Sequence, residues 1–109
     1  MLEDLTSAGR AAWGQGMDAL AACPNVTVKL SGFGTFARRV DPDLIAWLWR
    51  ETLRRFGPGR YLWGSNFPIE KLWTDYPARL VAHKAAADHL TAADRAAVFH
   101  DTACRVYRL

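Results

Sequence analysis

Cysteine is scarce. Only Cys23 and Cys104 occur in 109 residues, and neither belongs to a C-x-x-C pair. Two thiols so far apart in a core-rich chain fit a reducing, cytoplasmic setting, with a disulfide joining the two ends as the alternative. Long apolar runs are also missing. None approaches the roughly 20 residues that cross a bilayer. The opening MLEDLTSAGR carries acidic residues and no apolar centre, so neither a signal peptide nor a membrane partner is expected. Charge blocks are absent too. Fourteen Lys and Arg against eleven Asp and Glu give a net charge of +3, with basic pairs only at Arg38-Arg39 and Arg54-Arg55. A nucleic-acid binder concentrates such charge on one face, so no nucleic-acid partner is expected. GFG at 32–34 has neither a G-x-G-x-x-G pattern nor a Walker lysine, which removes a phosphate loop.

What is present is a core-rich chain, half hydrophobic, with five tryptophans. Leu5, Ala8, Ala12, Trp13, Met17, Leu20 and Ala21 recur at helical spacing, and CPN breaks that helix. NVTVKLSG alternates like a strand, with Thr27, Lys29 and Ser31 on one face and Val26, Val28 and Leu30 on the other. GFGTFARR reads as a loop. Asp41-Pro42 starts a helix whose stripe is Leu44, Ile45, Leu48, Trp49 and Leu53, and Gly57 ends it. Trp47 and Trp49 on it read as packing residues. RYLWGS is a short second strand, and NFPIEKLWTDYP is a loop. Helix returns over 77–89, and Thr91 with Asp94 opens a last helix over 92–107. Strands alternating with helices imply α/β with parallel pairing. Two strands alone leave open sheet edges, which reads as a slice of a larger fold and leaves a homo-oligomer open.

Three stretches in order carry a resemblance: NVTVKLSGFG, then FGPGRYLWGSNFPIEKL, then LTAADRAAVFHDTACRVYRL. Together with the opening helix, they resemble the C-terminal end of the amidohydrolase-related (amidohydrolase 2) family of TIM-barrel hydrolases, nearest its lactonase-like branch. The resemblance implies that residues 1–109 are the C-terminal part of one (β/α)8 barrel. Val26–Ser31 would be strand seven and Tyr61–Ser65 strand eight. The N-terminal part of the barrel would be absent, because a whole barrel needs roughly 200 residues or more. It also implies water attack on a lactone, ester or amide carbonyl of a small-molecule substrate, with this chain inactive alone. A non-catalytic α/β module docking on a partner chain is the alternative. The family's divalent metal would sit on a His-x-His of strand one and on later mid-barrel ligands. None of these has a counterpart here, so the cofactor stays open.

Barrel sites lie at the C-terminal strand ends. By resemblance, Asn66 occupies a position that is an aspartate in many relatives. A neutral amide has no basic site near pH 7, so Asn66 is expected to orient water or to hydrogen-bond a substrate carbonyl or carboxylate instead of taking a proton. The alternative is an asparagine that only closes a turn. Lys29, inward on the polar strand face, is expected to bind a carboxylate or polarise a carbonyl, or else to pair inside the barrel or let its tip snorkel out of the strand end. Ser31 and Ser65 are candidate donors at the mouth, and Trp73 a candidate pocket wall or loop anchor. His83, His89 and His100 lack helical ligand spacing and read as surface or partly buried side chains.

Overall fold

In the computed structural model, residues 4–109 are described; the first three residues of the stretch weighed as a leader lie outside them. The expected order of elements is found, with shorter strands. Helix α1 spans Ser7–Ala21, and the Thr6 hydroxyl caps it by accepting from the Gly9 N–H. Strand β1 is Val28–Leu30 and β2 is Tyr61–Trp63. They pair in parallel, Val28 with Tyr61, Lys29 with Leu62 and Leu30 with Trp63. The crossover between them is helix α3, Pro42–Phe56. It starts as its sequence dictates: the Asp41 carboxylate accepts from the Leu44 N–H at 3.0 Å, and Pro42 takes the first turn. It ends at Gly57, whose φ of 68° is readily reached only without a Cβ.

One reading needs correction. GFGTFARR is not all loop: Gly34–Ala37 winds one helical turn, α2, which closes at Arg38 in the left-handed region, φ 50°. After α4, Tyr76–Ala86, the last helix runs unbroken over 92–107 as expected, with one π-helical turn inside it: α5, Ala92–Ala96, the π turn over Ala97–Asp101, and α6, Thr102–Tyr107. The expected Thr91 cap does open this stretch, its hydroxyl accepting from the Asp94 N–H.

The core forms where α3 lies against the sheet. Leu30, Leu44, Ile45, Leu48, Trp49, Tyr61, Ala87 and Val98 make one buried cluster. Trp49 is its centre, edge-on to Tyr61 at 5.0 Å and 5.4 Å from Phe99. Its indole N–H donates to His83 Nδ1 at 2.9 Å. His83 is therefore fully buried, not a surface histidine, while His89 and His100 are exposed. Burial, then the charge of Arg79, lowers the His83 pKa from 6.5 to about 3, so the ring stays neutral. Trp47 packs on Trp13 at 5.1 Å, and both lie partly buried against this cluster. Arg60 fixes the first helix to the second strand, donating to the carbonyls of Ala21 and Cys23 at 3.0 and 2.9 Å.

Candidate functional site

Two segments leave the C-terminal ends of the strands, Ser31–Gly34 and Gly64–Pro68. They meet around one carboxylate. Asn66, in the left-handed region at φ 58°, ends the polar turn after β2, and the Phe67–Pro68 peptide is cis. Ile69–Leu72 then winds a 3₁₀ turn that carries Glu70 inward until it is fully buried. Glu70 accepts three side-chain hydrogen bonds: from Asn66 Nδ2 at 3.1 Å, from Trp73 Nε1 at 2.7 Å, and from Arg79 Nη1 at 3.1 Å. Arg79, on α4, is also buried, so this is an internal ion pair. Burial disfavours the charged guanidinium, and the Glu70 charge opposes that.

Two glycines let the loop after β1 reach this carboxylate. A methyl group at Gly34 would collide with the Glu70 carboxylate and stand 2.7 Å from Trp73 Nε1. At Gly32, φ 75°, a methyl would stand 3.2 Å from Asn66 Nδ2. Thr35, on the one-turn helix, places its hydroxyl 3.4 Å from the same Nδ2.

The expected site residues separate into two groups. Asn66 and Trp73 come together on Glu70. Ser65 is adjacent, its Oγ accepting from the Phe67 N–H at 3.3 Å and its own O–H left to donate. Lys29 lies on the other strand and Ser31 just past its end. Lys29 is exposed, and its ammonium meets the Tyr107 hydroxyl at 3.4 Å and stands 5.9 Å from that ring's centre. Ser31 lies over Gly64, where a methyl would be 3.2 Å from its Oγ. Lys29 and Ser31 also line a cleft of about 280 Å³ along β1, with Trp13, Met17 and Phe33.

Sequence reasoning missed Glu70 and Arg79. The signal was faint: a glutamate four residues after Asn66 and a bare glycine opposite. Among the described residues no three His, Cys, Asp or Glu side chains cluster as a metal would require. Glu70 itself is closed off by three donors. The residues present do not fit a metal centre of their own, and no step is assigned to one.

Comparison with known proteins covers this whole region. The amidohydrolase family model matches residues 4–109. An L-fucono-1,5-lactonase of Burkholderia ambifaria is 38% identical over 108 residues, covering 90% of this chain and 36% of that protein. Uncharacterized protein y4mH of Sinorhizobium fredii is 35% identical over 97 residues, covering 89% of this chain and 33% of that one. Thus the chain spans about a third of the length of the curated relatives it matches. A crystal structure of an amidohydrolase from Burkholderia multivorans, solved with bound zinc, superposes with a TM-score of 0.88 at 31% identity. That match covers 99% of this chain and 40% of the other. The two parallel strands and their helices are therefore a piece of an amidohydrolase TIM barrel.

Proposed function

The chain belongs to the amidohydrolase family, and we propose that it forms the C-terminal part of a barrel hydrolase that directs water at the carbonyl of a small sugar lactone. The observation that carries this reading is the 38% identity to an L-fucono-1,5-lactonase across 90% of the chain, a span that includes both strand ends. In the proposed reaction, Asn66 orients water or a substrate group at the end of β2, with Ser65 and Ser31 as neighbouring hydroxyl donors. Trp73 forms the side wall. Lys29 is assigned the substrate's negative or carbonyl oxygen once the rest of the barrel encloses it. Among the described residues at these strand ends, no group is placed to take the proton from water, since Asn66 is neutral and Glu70 is buried under three donors. The chain alone is accordingly proposed to be inactive.

The test is a chimera in which this chain replaces the matching third of the Burkholderia ambifaria enzyme. Acid release from L-fucono-1,5-lactone is followed by pH-stat. The expected result is hydrolysis by the chimera, a fall of at least about tenfold in kcat/KM on Asn66→Ala, and none by the 109-residue chain. A folded chimera without activity, or an active isolated chain, contradicts the proposal.

A further inference from the structure

A side-chain amide at a binding site can offer either a donor or an acceptor, and which one it offers decides what it binds. At Asn66 the choice is constrained from below. Its partner at 3.1 Å is the Glu70 carboxylate, which only accepts, so the NH2 half of the amide must face it. The Arg79 guanidinium and the Trp73 indole N–H hold that carboxylate from the other sides, so it has no room to turn away. Gly32, bare of a Cβ, and the Thr35 hydroxyl close in on Nδ2. The carbonyl half then points away from Glu70, and no group among the described residues donates to it.

We propose that Glu70 is a positioning residue that locks the Asn66 amide with Nδ2 inward and Oδ1 outward, so that this strand end presents a fixed hydrogen-bond acceptor. Such a site takes a donor, either a hydroxyl of a neutral polyol ligand or an O–H of water. It disfavours a ligand carboxylate or carbonyl at the same point, because two acceptors would face each other. The choice of ligand class rests on the function proposed above; the locked orientation does not.

The chain suits a direct test, because Gln15, Asn25 and Asn66 are its only side-chain amides. Three NH2 pairs are therefore expected in a nitrogen-15 correlation spectrum of the whole chain. The Asn66 pair should exchange with water at least about tenfold more slowly than that of the exposed Gln15. Glu70→Gln, which keeps the shape but can offer its own amide, should bring Asn66 exchange to the Gln15 rate while core backbone amides at Leu48 and Trp49 stay protected. Free exchange of Asn66 in the native chain overturns the proposal, as does unchanged protection in a folded Glu70→Gln variant. In the active chimera, Glu70→Gln, which frees the Asn66 amide to turn, should lower kcat/KM at least about tenfold. An unchanged kcat/KM overturns the acceptor role. A protected Asn66 in a chimera that hydrolyses no lactone overturns the function proposed above and leaves the locked amide supported.

Discussion

The two strand ends are built in opposite ways. After β2, a carboxylate sinks to full burial and gathers Asn66, Trp73 and Arg79 within about 3 Å. After β1, Ser31 has no side-chain partner of comparable strength among the described residues, and Lys29, within the strand, is exposed with its ammonium on Tyr107. One end is organised before any ligand arrives. The other waits for whatever lies beyond the open edge of β1. Preorganisation is costly to build and cheap to use: a group held in place loses little freedom on binding. The β2 end is thus the half of the candidate site whose geometry this chain specifies by itself.

The largest way to break that contrast is to remove the buried carboxylate. Glu70→Ala leaves Arg79 charged and unpaired in the interior and should cost about 3–5 kcal/mol in urea unfolding. Lys29→Ala on the other end should change stability by less than about 0.5 kcal/mol. Equal effects would erase the distinction.

Acid offers a second lever on the same side of the molecule. The folded pKa of His83 lies at about 3, below its unfolded value near 6.5. The unfolded chain therefore binds the extra proton between these limits. Stability from this group is full above pH 6.5 and falls as pH drops toward 3, by up to about 1.4 kcal/mol per pH unit. Urea midpoints at pH 7, 6 and 5 check the slope. A flat profile would mean His83 is solvated and does not support Trp49.

Glycine positions sharpen the comparison further. Gly34→Ala drives a methyl into the Glu70 carboxylate and should destabilise by about 1–3 kcal/mol. Gly16→Ala, on the exposed face of α1 with open space around it, should stabilise by about 0.5–1 kcal/mol. Thermal midpoints should therefore move in opposite directions.

Much of the scaffold was legible because its signals are local. Asp41-Pro42 and Gly57 mark both ends of α3 through capping and backbone preference, and the alternation in NVTVKL marks β1. The parallel pairing followed from the helix between the strands. Asn66 and Trp73 were legible as loop residues after a strand. Their common partner was not. Glu70 sits in a polar loop sequence, where a glutamate usually faces water. Only the approach of Gly34 from one strand end and Arg79 from α4 buries it, and both are tertiary events. His83 was misjudged for the same reason, since nothing in its neighbours along the chain announces the Trp49 indole. The one-turn helix at Gly34–Ala37 was hidden by two glycines that in fact serve close packing.

The central claim is that Asn66 and Glu70 act as a pair. A double-mutant cycle with Asn66→Ala, Glu70→Ala and the double variant, read by urea unfolding of the chain, measures their coupling directly. A coupling of about 1 kcal/mol or more is expected, in the range for residues sharing one hydrogen-bond network. Additive losses, with coupling indistinguishable from zero, would contradict it.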